Sequence, residues 1–410
     1  MRRYESYKDS GVEWLGEVPS HWKLGRISTY FTERRTKVSD KDYPALSVTK
    51  LGVFPQWENV AKTNDGDNRK LAKKGDFVIN SRSDRKGSSG IAKQDGSVSL
   101  INIVLQPKKI NSVYSEYLFK SYSFIEEFYR VGHGIVADLW TTRFEDIKNS
   151  LIIFPPLSEQ QKIAQFLDEK TAKIDQAVDL AEKQIALLKE HKQILIQNAV
   201  TRGLNPDVPL KDSGVEWIGQ VPEHWEVKKL KFVLTLSNKK EESKNSNKRY
   251  IGMENIESFT GKINDIPLIA EGIANSFYKD EILFGKLRPY LAKSYLADFD
   301  GICSTEFLVY RSTKVLNNRF ALNIFLSYGF IDAVNASTYG SKMPRANAEF
   351  ISNMFLAIPP LSEQKQIIDY LDKQTAKIDQ AIALKTAHIE KLKEYKSVLI
   401  NDVVTGKVRV

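Results

Sequence analysis

The chain has one cysteine, Cys303, in 410 residues. A single thiol excludes an intramolecular disulfide and a cysteine-cluster metal site, and it fits a reducing cytoplasm. Cys303 itself reads as a small buried apolar residue. No run of 18 or more apolar residues is present, so no membrane-spanning helix and no membrane partner are expected. The start, Met1-Arg2-Arg3-Tyr4-Glu5, lacks the apolar stretch of a secretory signal. Five histidines, at 21, 133, 191, 224 and 388, show no tight ligand spacing, so no metal site is expected. A phosphate-cradling Gly-x-x-x-x-Gly-Lys-Ser/Thr loop is also missing. Gly261-Lys262, Gly285-Lys286 and Gly406-Lys407 are followed by Ile, Leu and Val. The Asn/Asp-Pro-Pro-Tyr/Phe motif of base-flipping enzymes is missing too, because both Pro-Pro pairs precede Leu. No catalytic residue and no bound cofactor are therefore expected.

A hydrophobic fraction of 42% and an aromatic fraction of 10% suit core-forming domains. Net charge is +9, which favours a polyanionic partner only if the charge is concentrated.

The chain is written twice. Lys8-Asp9-Ser10-Gly11-Val12-Glu13-Trp14, with Val18-Pro19 and His21-Trp22, recurs 203 positions later as Lys211 to Trp217, Val221-Pro222 and His224-Trp225. Pro155-Pro156-Leu157-Ser158-Glu159-Gln160 returns as Pro359-Pro360-Leu361-Ser362-Glu363-Gln364, and Thr171 to Ala177 returns as Thr375 to Ala381. Flanks that match must make the same contacts twice, whereas the diverged interiors present different surfaces on one scaffold. His21 and His224 share a repeat position and read as structural. Trp14, Trp22, Trp217 and Trp225 are shared as well and read as core or partner contacts. Asp95-Gly96 and Asp300-Gly301 each precede a strand-like run, Ser97 to Val104 and Ile302 to Val309. Asp-Gly between extended runs predicts a hairpin.

After each Pro-Pro-Leu the pattern becomes a heptad. Leu167, Thr171, Ile174, Val178, Ala181, Ile185, Leu188, Lys192, Leu195 and Ala199 step by alternating four and three, and Leu371 through Val403 repeat the pattern. Such spacing predicts two coiled-coil helices, with Ser158 and Ser362 as N-caps and Gly203 and Gly406 as stops. The simplest partner for one stripe is the other, packed antiparallel as a spacer rod; an intermolecular dimerisation coiled coil is the alternative. Residues 158–200 carry a net −1 and residues 362–404 a net zero, which leaves +10 outside the helices, in the diverged units. A nucleic-acid footprint belongs there if those units read sequence.

This layout resembles the specificity subunit of type I restriction-modification enzymes over essentially all 410 residues. Two Pro-Pro-Leu-Ser-Glu-Gln helix entries and two Ser-Gly-Val-Glu-Trp…Val-Pro…His-Trp openings, in register, carry the resemblance. It implies an α+β protein with two similar mixed α/β target recognition domains, over residues 1–157 and 203–360. These are joined by two long antiparallel coiled-coil helices, over 158–202 and 361–410, with pseudo-twofold symmetry. It implies that each domain binds one half of a bipartite double-stranded DNA target and that the helices set the half-site separation. Two methyltransferase (modification) subunits, which methylate adenine, and translocase-nuclease (restriction) subunits are the implied partners. S-adenosylmethionine, ATP and Mg²⁺ belong to those partners.

Two segments per unit are candidate DNA contacts. The first is the loop between core strands, with Asn80, Ser81, Arg82, Ser83, Arg85 and Lys86 in one unit and Lys286, Arg288, Tyr290 and Lys293 in the other. Polar, basic loops suit phosphate and base-edge contacts, and arginine bridges guanine bidentately; a solvated loop is the plain alternative. The second lies before each domain's exit, with Trp140, Thr141, Thr142 and Arg143 matched to Pro344, Arg345, Ala346 and Asn347, which Ser341 and Lys342 precede. Two rival functions stay open at this point. One is a free-standing DNA-binding regulator with a coiled coil. The other is a metal nuclease, from Pro206-Asp207 and Glu226-Val227-Lys228; the matching Trp22-Lys23-Leu24-Gly25 of the first copy lacks that pattern.

Overall fold

The computed structural model describes residues 2–56, 66–134, 140–340 and 342–410. The chain forms two compact units, Met1–Ala181 with Ala387–Val410, and Glu182–Thr386, and each takes part of both long helices.

In the first unit, a four-stranded antiparallel sheet runs in the order Ser89–Ile91, Phe77–Asn80, Asn102–Pro107, Phe31–Glu33. Two helices, Ser112–Lys120 and Tyr122–Arg130, supply the buried Phe119, Phe124 and Phe128, which pack with Phe31 and Phe77 of the sheet. Strand Lys23–Arg26 pairs with Leu151–Phe154, joining the start of the domain to its end. The second unit repeats this order with Ser294–Leu296, Ile282–Gly285, Phe307–Ser312 and Leu234–Ser237. Its helices Asn318–Leu326 and Tyr328–Ala336 bring Phe325 and Phe330 against Phe284. The secondary sheets differ. Among the described residues, that of the first unit has three strands and that of the second has four, with Tyr250–Ile251 parallel to Gly301–Cys303. Divergence has therefore fallen outside the common core.

The Asp-Gly pairs do not make hairpins. Gly96–Val98 pairs with Arg69–Ala72, not with the preceding strand Ser89–Ile91, and Gly301–Cys303 pairs with Ile273–Phe277. Each expected single run also breaks into two strands in different sheets. Tertiary bonding explains this. Asp95 Oδ1 accepts from the Lys74 amide at 2.8 Å, and Asp300 Oδ1 from the Lys279 amide at 2.8 Å. A Cβ on Gly96 would lie 2.6 Å from the Pro44 carbonyl oxygen, and one on Gly301 would lie 2.8 Å from that of Arg249. The glycines permit close backbone approach rather than a turn conformation.

The long helices span Leu157–Arg202 and Leu361–Val404, 46 and 44 residues, so each is about 65–70 Å long. Every heptad position named above is buried or half-buried. Within the second unit, Gln184 meets Lys385 and Lys192 meets Asp379, so rising numbers on one helix face falling numbers on the other. That is antiparallel packing. In the first unit Asp175 pairs with Lys396 at 2.7 Å, and Ile163, Leu167 and Ile174 share a core with Leu399 and Val403. Gly203 and Gly406 end the helices with φ of +73° and +80°, the left-handed stop that glycine provides.

Ser158 and Ser362 are not the N-caps. They fall inside the first turn, where the Pro156 and Pro360 carbonyls accept the first amides. The repeated cassette works through its Glu and Gln instead. Buried Gln160 donates to the Pro155 carbonyl and accepts from the Asn111 amide, and Gln364 does the same with Pro359 and Asn317. Glu159 holds His21 and the Tyr4 hydroxyl, whereas Glu363 holds His224 and the Trp225 indole. Each helix is thereby bolted to the domain that precedes it in the chain. Trp22 and Trp225 are fully buried, and Trp14 and Trp217 pack edge-on against Phe124 and Phe330.

Candidate nucleic-acid interface

The two candidate segments of each unit meet. In the first unit the Ser83 amide donates to the Trp140 carbonyl and the Thr142 amide to the Ser81 carbonyl, both at 2.9 Å. In the second, the Arg288 amide donates to the Pro344 carbonyl at 2.7 Å and the Ala346 amide to the Lys286 carbonyl at 2.9 Å. These are the same two bonds on the same scaffold. They bridge Arg82 to Thr141 and Leu287 to Arg345. A second bridge extends each ladder, from His133 to Thr141 and from Tyr339 to Arg345. Residues directly opposite in antiparallel pairs put their side chains on one face. His133, Thr141 and Arg82 therefore form a row in one unit, and Tyr339, Arg345 and Leu287 form its counterpart in the other.

Not every candidate faces outward. Asn80, Ser81 and Thr142 are buried. Asn80 Oδ1 accepts from the Arg82 amide, and Thr142 donates to the Phe128 carbonyl. Lys293 donates to the Met253 carbonyl, and Asn347 caps the helix Ala348–Asn353. Lys86 pairs with Glu126 at 2.6 Å, and Arg85 lies 3.6 Å from Asp84. Ser83 and Trp140 are half-buried beside a cavity of about 480 Å³ that Trp14, Lys86 and Tyr129 also line. Arg82, Arg143, Arg288 and Lys342 are exposed, Tyr290 is 45% exposed, and Lys286 is half-buried. No carboxylate lies within ion-pair distance of Arg82, Arg143 or Arg288 among the described residues. Ser341 lies outside the described residues.

Arg82, Thr141 and Arg143 open onto a groove of about 590 Å³ that Arg35, Lys37 and Lys70 also line. Glu33 and Glu145 tie down part of that charge, Arg35 bridging both and Lys70 reaching Glu33. In the second unit Arg345 is gripped by Glu306, Nε to the two carboxylate oxygens at 3.1 and 3.2 Å and Nη2 at 3.0 Å. That carboxylate raises the guanidinium pKa further above its usual value. Arg288 sits in the left-handed region, with φ of 50° and ψ of 59°, a conformation that costs a non-glycine residue about 1–2 kcal/mol. Backbone strain of this kind gathers at functional loops. His133, Leu287, Tyr339 and Glu306 carried no local signal in the sequence. Only the repeat alignment, extended through the bridges, singles them out.

No helix among the described residues is long and apolar enough to cross a membrane, and no group of three or more His, Cys, Asp or Glu among them is placed to hold a metal. Glu226 of the nuclease-like pattern pairs with Lys228 on its own strand.

The family profile of the type I restriction modification DNA specificity domain matches this chain twice, over residues 22–190 and 222–394. The chain belongs to this family. Membership favours the specificity subunit over the free-standing regulator. The type I restriction enzyme EcoDI specificity subunit of Escherichia coli is 24% identical over 394 residues, covering 89% of this chain and 83% of that one. The putative MjaX specificity subunit of Methanocaldococcus jannaschii is 23% identical, covering 97% and 96%. In fold, the chain matches one from a study of complex assembly and conformational transition in a type I restriction-modification system. The TM-score is 0.69 at 13% identity, over 95% of this chain and 99% of that one. The HsdS subunit from Thermoanaerobacter tengcongensis matches with a TM-score of 0.54 at 15% identity, over 95% and 98%.

Proposed function

We propose that this specificity subunit reads a bipartite double-stranded DNA target, one half-site per unit, and docks two adenine methyltransferase subunits and restriction-translocase subunits in the cytoplasm. The observation that carries the reading is the twice-built bridge. One backbone scaffold is repeated, and the residues it displays differ between the copies. Two readers with different displayed side chains suit two different half-sites joined by an unread spacer. Exposed Arg143, Arg288 and Lys342 supply sequence-independent phosphate attraction. The chain itself catalyses nothing in this reading. S-adenosylmethionine, ATP and Mg²⁺ act on the partner subunits, and the paired helices set the half-site separation.

The test is an exchange of residues 25–150 for the corresponding stretch of another family member, followed by mapping of methylated adenines in the host. The expected outcome is a new sequence in one half-site with the other half-site unchanged. A change in both halves, or Mg²⁺-dependent cleavage of DNA by the isolated chain, would overturn the reading.

A further inference from the structure

We propose that the cross-strand rows are the base-reading elements, His133–Thr141–Arg82 in one unit and Tyr339–Arg345–Leu287 in the other, with Arg345 reading a guanine while Glu306 positions it. This rests on the DNA-reading function above and names which side chains within the site carry sequence choice.

Three observations support it. First, the outer bridge of each row is closed by a pair of backbone hydrogen bonds. The His133 and Thr141 amides and carbonyls bond each other at 3.1 and 2.9 Å, and those of Tyr339 and Arg345 do so at 3.3 and 3.1 Å. These bonds fix a ribbon that carries the side chains of the row, and a β-ribbon fits the major groove. Second, the scaffold matches while the chemistry does not. The matched positions hold Arg82 against Leu287, Thr141 against Arg345, and His133 against Tyr339. The position whose carbonyl receives the Ser81 or Lys286 amide is Ile101 in one unit and Glu306 in the other. By contrast, the buried serines between the paired helices, Ser121 and Ser327, are retained. Third, the outer members are open: the His133 side chain is 78% exposed and Tyr339 is 65% exposed.

Arg345 separates base reading from phosphate binding. Its Nε–Nη2 edge is held by Glu306. The Nη1 side and the second Nη2 hydrogen remain as a two-donor edge, matching the O6 and N7 acceptors of guanine. A phosphate gains little from an ion pair already neutral, and the Glu306 carboxylate repels it. A guanine edge is uncharged and can be bound without displacing Glu306. The grip also fixes the side chain before binding, so less conformational freedom is lost.

The test uses the full chain, co-purified with its modification subunits and challenged with randomised duplex DNA at several salt concentrations. Arg345→Ala is expected to lose discrimination at one G·C pair of one half-site by about 10- to 100-fold, with the slope of log affinity against log salt unchanged. Glu306→Gln is expected to weaken preference at that same pair and at no other. The triple exchange Leu287→Arg, Tyr339→His, Arg345→Thr is expected to respecify that half-site and leave the other intact. Uniform weakening of all sequences with a salt slope smaller by about one would make Arg345 a phosphate contact and overturn the assignment. Unaltered preferences in all three folded variants would overturn it too, while leaving bipartite reading by the wild type standing. A wild-type complex that selects no bipartite sequence would sink both.

Discussion

At the scale of single residues, the informative positions are those whose local conformation or burial conflicts with their type. Arg288 holds a left-handed backbone with nothing among the described residues to neutralise its charge. Replacing it with glycine removes the charge and relieves the strain, less the extra chain entropy glycine brings. Arg288→Gly is expected to leave thermal stability unchanged or raise it by up to about 1 kcal/mol, while DNA affinity falls. Melting curves and binding titrations on one preparation check both halves, and a clear loss of stability would show that the Arg288 side chain holds the loop. Cys303 is fully buried, and burial pushes its thiol up to about 12. At pH 8 only about one thiol in ten thousand is ionised. Iodoacetamide should spare the native protein and label it only as the second unit unfolds. Rapid native labelling would contradict the packing of strand Gly301–Cys303.

Elements depend on the two bolts that fasten each long helix to its domain. Gln364 is fully buried and serves the Asn317 amide and the Pro359 and Val315 carbonyls, as Gln160 serves Asn111 and Pro155. Gln364→Leu strands these groups, each worth about 1–3 kcal/mol when left unpaired in the interior. A loss of roughly 2–4 kcal/mol in urea unfolding is expected, and the same for Gln160→Leu. A change below about 0.5 kcal/mol would mean that water replaces the glutamine. The elements also show which local signals can be trusted. The heptads were legible because a 3.5-residue period is a property of contiguous sequence, and the glycine stops because a left-handed cap is local. The Asp-Gly pairs misled because their aspartates answer amides 21 residues away in sequence. Ser158 misled because the preceding proline carbonyl had already started the helix.

For the whole molecule, the central expectation is modularity. If the helices set the spacing, one extra heptad in each, placed at matched positions, lengthens each helix by about 10 Å, the rise of about three base pairs of DNA. The preferred spacer should then change while the bases of both half-sites stay the same, as read from methylated sites in the host. Altered half-site bases with an unaltered spacer would remove the helices from that role. Much of the architecture could be read before folding: two copies, two heptad helices, and charge gathered outside them. The candidate site was half legible. Arg82, Thr141 and Arg345 lie in segments marked by repeat divergence, but Asn80, Ser81 and Thr142 of the same segments turned out buried, because composition does not tell which way a loop residue points.

The sequence by itself determined the duplication, the two heptad stripes and the family, since these live in spacing and periodicity along one chain. Only the tertiary structure decided which side chains stand together on the bridged rows and which polar residues are locked inside. Those are pairings between segments distant in the chain, such as Arg82 with Thr141 and Arg345 with Glu306, and they exist only once the core has closed around Phe119 and Phe325 and fixed where each loop must lie.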